Sequence, residues 1–269
     1  MVNGFIQIFI FVVLGYLFAG LLLFLFQEKL LFHPKIVPAD YVYLFRHRYT
    51  AQKIMLNADT SLDLVRFFPG DQRSVKGAVI YFHGNRKNIA HYEPFAGELL
   101  SYGYEVWMMD YPGFGRSRGR ITEPVLYQEA EAVYRLVRDH FTPDRIILYG
   151  RSLGSGIASQ LASKEACSRL ILESPYFSLV SLVRHYFILY PVTTMLRFKI
   201  PTNEYIKNIT APITVFHGAA DRVVPLSNSI KLKMLLKPED EFIVITGGHH
   251  NDLKNFSQMK QKLAAILGD

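Results

Sequence analysis

The sequence predicts an α/β fold, a mostly parallel central sheet flanked by helices, with a transmembrane helix ahead of it; three observations carry this. Four apolar runs at 77–82, 105–109, 145–149 and 169–172 are too short for independent helices and too continuous for strands with one wet face; such runs are strands buried on both sides. Helical patterns at 92–101, 125–140 and 153–163 fall between them, and strand–helix alternation folds as a parallel sheet covered on both faces by right-handed crossovers. Residues 5–26 are apolar apart from Gln7 and carry no charge; as a helix rising about 1.5 Å per residue they reach roughly 30 Å, the hydrocarbon thickness of a bilayer.

The N-terminal run comes first in the chain. A cleaved signal peptide would carry a positive flank before it and an A-x-A-like site after it, whereas Gln27-Glu28-Lys29-Leu30-Leu31-Phe32 follows here. The reading is therefore an uncleaved anchor, with a signal peptide or a hydrophobic arm buried in an oligomer as alternatives. Gly15 and Gly20 are tolerated in such a helix and do not by themselves mark a helix pair. Lys29, Lys35, Arg46 and Arg48 lie after the run, which places the rest of the chain on the cytoplasmic side of a single span.

Beyond the connecting segment at 31–50, runs at 52–57 and 62–68 joined by Asn57-Ala58-Asp59-Thr60 read as an antiparallel hairpin. After the four buried strands, 213–216 and 242–245 continue the strand series and 227–236 and 253–267 supply two more helices. Pro212 and Gly247-Gly248 mark the boundaries. The stretch 174–209 breaks the rhythm: it holds Tyr176, Phe177, Tyr186, Phe187, Tyr190, Phe198 and Tyr205, and Pro191 and Pro201 interrupt any long helix. It reads equally as a short cap over a site or as aromatic packing between two strands. The expected organisation is an anchor and flank at 1–30, the connector at 31–50 and a soluble domain at 51–269.

A net charge of +7 over 269 residues suits anionic lipid headgroups beside a membrane span. No zinc-finger spacing, RNA-binding aromatic motif or long basic run occurs, so nucleic acid is not an expected partner. The lone Cys167 excludes an intrachain disulfide and reads as a small packed residue in an Ala-rich stretch. The histidines show no H-E-x-x-H spacing and have no cysteine partners, so no metal is expected. Gly113-Phe114-Gly115-Arg116-Ser117 lacks both G-x-G-x-x-G and a Walker lysine and reads as a turn. Neither a prosthetic cofactor nor an obligate protein partner can be read from the chain.

The chemistry is concentrated at residues 146–156, I-I-L-Y-G-R-S-L-G-S-G, an apolar strand running into G-x-S-x-G and then a small-residue helix start. Gly150 and Gly154 remove the Cβ atoms that would crowd a tight turn and leave the Ser152 hydroxyl projecting above the sheet edge. The alternative is a glycine-rich turn whose serine only caps a helix. A serine nucleophile needs a base, and the base needs an acceptor on its other nitrogen. Asp221 lies in a loop just past the strand at 213–216, and His249 and His250 lie just past the strand at 242–245, giving the chain order Ser, Asp, His. His250 is favoured over His249. Asp252, close to the base and poised to cap the next helix, is a weaker acid candidate; Asp110 and Glu173 also follow strands, with ion-pair or loop-ordering roles as the plainer readings. The backbone N–H groups of Leu153 and of Asn85, in Phe82-His83-Gly84-Asn85 after a strand, are candidate oxyanion donors; the second segment reads otherwise as a sharp structural turn.

F-H-G-N from Phe82, D-Y-P-G-F-G-R-S from Asp110, G-R-S-L-G-S-G from Gly150, E-S-P-Y from Glu173, H-G-x-x-D-x-V-V-P from His217 and G-H-H-N-D from Gly248 together resemble the alpha/beta-hydrolase superfamily. With the apolar N-terminus and Glu28-Lys29-Leu30-Leu31-Phe32-His33-Pro34, the chain resembles its membrane-anchored branch, which acts on lipids and acylated proteins. The resemblance implies an alpha/beta-hydrolase fold with Ser152 as nucleophile, Asp221 as acid, His250 as base, and Asn85 and Leu153 as the oxyanion hole. It implies a serine hydrolase of lipid-like or acylated esters or thioesters. Small soluble esters, amides, or a noncatalytic membrane-bound role on a hydrolase scaffold are the alternatives, and a shared triad does not choose among substrates.

Overall fold

The computed structural model describes residues 2–71 and 74–268; Met1 and Asp269, the outer limits of the expected anchor and soluble domain, lie outside them. In chain order the elements are α1 (Val2–Leu31), β1 (His33–Pro34), β2 (Tyr49–Met55), β3 (Ser61–Phe67), β4 (Gly77–Phe82), β5 (Arg86–Lys87), α2 (Ile89–Ser101), β6 (Tyr104–Asp110), α3 (Glu123–Arg138) and β7 (Ile146–Arg151). There follow α4 (Leu153–Ala162), β8 (Arg169–Glu173), α5 (Leu179–Tyr186), α6 (Val192–Met195), α7 (Thr202–Ile206), β9 (Ile213–Gly218), α8 (Leu226–Ser229), β10 (Glu241–Ile245) and α9 (Ser257–Leu267).

Eight strands form one sheet in the order β10-β9-β8-β7-β4-β6-β3-β2. The pairs from β10 through β6 are parallel, and the opening hairpin β2–β3 is antiparallel, joined to β6 by a second antiparallel pair. Successive side chains alternate between two cores, as the pleat requires. Ile80 and Phe82 pack on one face with Val133 of α3 and Ile157 of α4, while Val79 and Tyr81 pack on the other with Ala96 of α2 and Leu263 of α9. Every residue of β4 and β7 is buried, which is why these runs read as continuously apolar.

The helix after β4 goes to one face and the helix after β7 to the other, although the strands are neighbours. The connections leaving their carboxyl ends therefore diverge and leave a crevice, the usual ligand position in an open α/β sheet. Both the Asn85 loop and Ser152 emerge there.

Three local expectations need correction. The segment 227–236 is a single turn of α-helix, Leu226–Ser229, passing into a 3-10 helix at Ile230–Leu235; bounded by Pro225 and Pro238, it is too short to propagate α-helical hydrogen bonding. The helix expected at 253–267 breaks at an extended Phe256, whose ring packs on the second core, leaving a 3-10 turn, Leu253–Asn255, before α9. The connector at 31–50 hides a parallel ladder, His33 opposite Arg86 and Pro34 opposite Lys87, too short to leave any periodicity.

α1 is the one helix among the described residues long and apolar enough to cross a membrane, which fits a span or a signal sequence by composition. Most of it is solvent-exposed in the chain alone, with Gly20 and Gln27 as buried exceptions. The stretch 174–209 forms α5, α6 and α7, interrupted at Pro191 and Pro201 as expected. α5 and α6 line a cavity together with Ser152, whereas α7 packs on α4.

Candidate active site

The turn from β7 into α4 holds Ser152 at φ 51° and ψ −116°, a backbone conformation that is strained for any residue with a Cβ and costs on the order of 1–3 kcal/mol. Its surroundings hold it there. The Ser152 N–H donates to the Glu173 carbonyl at 2.9 Å, and the Ser155 N–H and hydroxyl donate to the Ser152 carbonyl at 2.9 and 2.6 Å. A Cβ on Gly154 would lie 2.1 Å from the Phe82 carbonyl oxygen, and one on Gly150 would lie 2.5 Å from the Gly154 oxygen. Glycine is required at both because the start of α4 presses against the end of β4 at Gly154 and against the end of β7 at Gly150. That closeness also brings the Gly84–Asn85 turn beside Ser152, a Cβ on Gly84 falling 3.7 Å from the serine Cβ.

His250 Nε2 lies 3.0 Å from Ser152 Oγ, and His250 Nδ1 lies 2.8 Å from Asp221 Oδ2. The tautomer with its proton on Nδ1 satisfies both contacts, donating to the carboxylate and leaving Nε2 to accept from the serine hydroxyl. Asp221 Oδ1 accepts from the N–H groups of Val223 and Val224 at 2.8 and 2.9 Å. Burial alone would raise the Asp221 pKa, but the His250 hydrogen bond and charge and the two N–H donors outweigh it and hold the carboxyl below its ordinary value. Beneath it, His217 donates from Nε2 to the Val224 carbonyl at 2.8 Å, and burial lowers its pKa, so it packs as a neutral ring.

The other candidates fall elsewhere. His249 is exposed, with Nδ1 3.0 Å from the Ala220 carbonyl and its N–H donating to Asp252 Oδ1 at 2.7 Å. Asp252 therefore orders the histidine loop, and its side chain makes no cap bond to the following turn. Asp110 is fully buried, accepting from the Ile89 N–H at 2.9 Å and the Tyr43 hydroxyl at 3.2 Å, and burial raises its pKa. Glu173 pairs with Arg151 at 3.0 Å and accepts from the Tyr149 hydroxyl at 2.7 Å. Both carboxylates take the loop-ordering and ion-pair roles that sequence left as their plainer reading.

Two contributors escaped the sequence. Arg151, buried beside the serine, donates from Nη2 to the His250 carbonyl at 3.3 Å and to Asn251 Oδ1 at 3.1 Å, tying the histidine loop to the elbow. A charge inside an otherwise apolar strand was its only signal. The second is α1. Asn85, Ser152 and Leu153 line a cavity of about 320 Å³ whose walls include Leu182 and Val183 of α5 and also Leu23 and Phe24 of α1. Ser152 occupies the N-cap position of the ten-residue α4 without a side-chain cap bond, and the positive end of that helix faces any charge developing at the serine.

A family model described as serine aminopeptidase, S33, matches residues 73–202. Alpha/beta hydrolase domain-containing protein 17C of Xenopus tropicalis is 30% identical over 208 residues, covering 76% of this chain and 64% of that protein, so the chain spans somewhat under two thirds of that relative's length. Protein 17B of Homo sapiens is 27% identical over 234 residues, covering 85% of this chain and 79% of the relative. Among solved structures, a Pyrococcus furiosus esterase superposes with a TM-score of 0.69 at 20% identity, covering 88% of this chain and 96% of that one. In fold the chain is similar to alpha/beta hydrolases, and in sequence it is similar to the alpha/beta hydrolase domain-containing 17 proteins.

Proposed function

We propose that the chain is a serine hydrolase that cleaves carboxylic ester or thioester bonds of lipid-like or acylated substrates at a membrane. Ser152 is the nucleophile, His250 the base, Asp221 the acid that orients it, and the N–H groups of Asn85 and Leu153 the oxyanion donors. What carries the reading is the unbroken run of contacts from Asp221 through His250 to Ser152, at 2.8 and 3.0 Å, beside an apolar cavity. Ser152 Oγ attacks the carbonyl carbon as its proton passes to His250 Nε2, and the tetrahedral oxyanion is held by the two N–H groups. His250 then returns the proton to the departing alcohol or thiol. Water attacks the acyl-enzyme with His250 again accepting a proton, which releases the acid and restores the serine.

The name of the matching family model favours a second reading, an aminopeptidase. Such an enzyme needs a carboxylate to hold the substrate's terminal ammonium, and no Asp or Glu lines the cavity among the described residues. The apolar lining suits an acyl group instead.

In this reading residues 1–30 are a single-pass anchor and flank, 31–50 a connector, and 51–269 the catalytic domain with 174–209 as its cap. Lys29, Lys35, Arg46 and Arg48 favour the cytoplasmic side for that domain. Protease added outside intact cells then spares it, and degradation alongside survival of a cytoplasmic control reverses the orientation. The activity is tested by fluorophosphonate labelling of detergent-solubilised wild type and Ser152→Ala. Labelling of wild type alone supports the reading; no labelling of verified folded wild type favours the noncatalytic alternative.

A further inference from the structure

One wall of the cavity belongs to the helix expected only to anchor the chain. Leu23, Phe24, Gln27, Leu30 and Leu31 of α1 all line it. Gln27 is 6% exposed: its Nε2 donates to the Met195 carbonyl at 3.2 Å, and its Oε1 accepts from the Arg197 N–H at 2.7 Å. Farther along α1, the Tyr190 ring lies 3.0 Å from where a Gly20 Cβ would stand and stacks on Tyr16 with centroids 4.7 Å apart. Tyr16 donates its hydroxyl to the Leu189 carbonyl at 2.6 Å, and Tyr190 donates to the Tyr16 carbonyl at 3.2 Å. At the other end, Asn85 Nδ2 donates to the Leu31 carbonyl at 2.5 Å.

The segment after α5 thus follows α1 from Glu28 back to Tyr16, about 18 Å of helix at roughly 1.5 Å per residue. With α1 spanning the bilayer, Tyr16 lies within the hydrocarbon. Ile188 and Leu189, each 76% exposed, then sit beside it at that depth, where lipid rather than water covers them. The cavity between α1 and α5–α6 is accordingly walled at membrane depth, with Ser152 at its inner end beside Asn85.

We propose that α1 is part of the substrate site. The acyl chain of a bilayer-resident ester or thioester passes laterally from the hydrocarbon between α1 and α5–α6 and lies along Leu23 and Phe24 with its carbonyl at Ser152. This rests on the acyl-hydrolase reading and adds to it the substrate's source and a medium-to-long chain. An acyl group entering this way never crosses water, so its hydrophobic transfer cost does not oppose binding.

The test uses full-length Ser152→Ala in phosphatidylcholine vesicles doped with a diazirine-bearing palmitoyl ester, so its outcome is independent of turnover. Photo-adducts are expected on Leu179 or Val183 and on Leu23 or Phe24, and are expected to be displaced by unlabelled palmitoyl ester. Adducts confined to lipid-facing positions such as Phe9, Phe11 and Phe18 overturn the proposal, as do equal cavity adducts when the probe is supplied only in separate vesicles. If wild type is not labelled by fluorophosphonate while the cavity adducts form, the hydrolase reading fails and acyl binding stands. With turnover, Leu23→Trp lowers the ratio of dodecanoyl to butanoyl thioester kcat/KM at least tenfold; an unchanged ratio in a variant that still labels places the acyl chain elsewhere.

Discussion

The serine elbow and the wall that α1 forms with α5 and α6 meet at one cavity, yet they are built by opposite means. At the elbow, backbone presses on backbone: Gly154 against the Phe82 carbonyl, Ser152 N–H on the Glu173 carbonyl, Asp221 beneath two N–H donors. Nothing there yields without moving the sheet. At the wall, side chains reach across exposed apolar surface, and a few polar clamps at Gln27, Tyr16 and Tyr190 hold two elements together. On the proposed function, rigidity serves the reacting atoms, which must be held closely for catalysis, whereas an acyl chain needs only an apolar surface of adequate length.

Changes at the elbow are expected to affect every substrate, and changes at the wall to affect long chains selectively. The largest effect is Ser152→Ala, expected to lower kcat by about 10⁶-fold on short and long esters alike with an unchanged thermal transition. Next is Asp221→Asn, expected to cost about 10⁴-fold in kcat by losing the correct histidine tautomer. This variant also carries a pH signature. Because the Asp221 pKa is lowered in the folded chain, its ionised form stabilises the fold above the unfolded value of about 3.9, and that contribution is lost as pH falls through the depressed folded value. The stability gap between wild type and Asp221→Asn, read from urea denaturation, therefore narrows as pH is lowered from 7 to about 3.

Arg151→Ala leaves Glu173 buried without its ionic partner, and is expected to cost about 3–5 kcal/mol in urea denaturation. A Glu173→Gln change in the same chain should restore part of this, since it removes the stranded charge while keeping a hydrogen-bonding group. At the wall, Gln27→Leu removes two cross-element hydrogen bonds and is expected to cost about 1–3 kcal/mol. Its loss of activity should grow with acyl chain length; an equal loss on every chain length would mean that wall and elbow are one rigid unit. The smallest effect is at Gly15, where a Cβ meets nothing within 4 Å and alanine should be neutral for docking. Gly20→Leu, by contrast, collides with Tyr190 and should separate the segment between α5 and α6 from α1.

Much of the fold was legible because burial on both faces leaves a local mark. The run at 77–82 is apolar throughout since alternate side chains enter two different cores, and the expected strand coincides with β4. The helix at 227–236 was not legible, because a window bounded by prolines carries the same residue pattern whether its turns close as α or 3-10. The β1–β5 ladder pairs two residues with two, too few to show any period.

The sequence by itself determined the strand–helix order, the serine turn and the chain order of serine, aspartate and histidine, because each depends on neighbours within a few residues. Tertiary structure alone decided that Arg151 ties the two loops together, and that Gln27, Gly20 and Tyr16 seat the segment between α5 and α7 on the N-terminal helix. Those outcomes depend on where distant strand ends and helices converge in space, and residues more than ninety positions apart leave no periodicity by which a sequence could pair them.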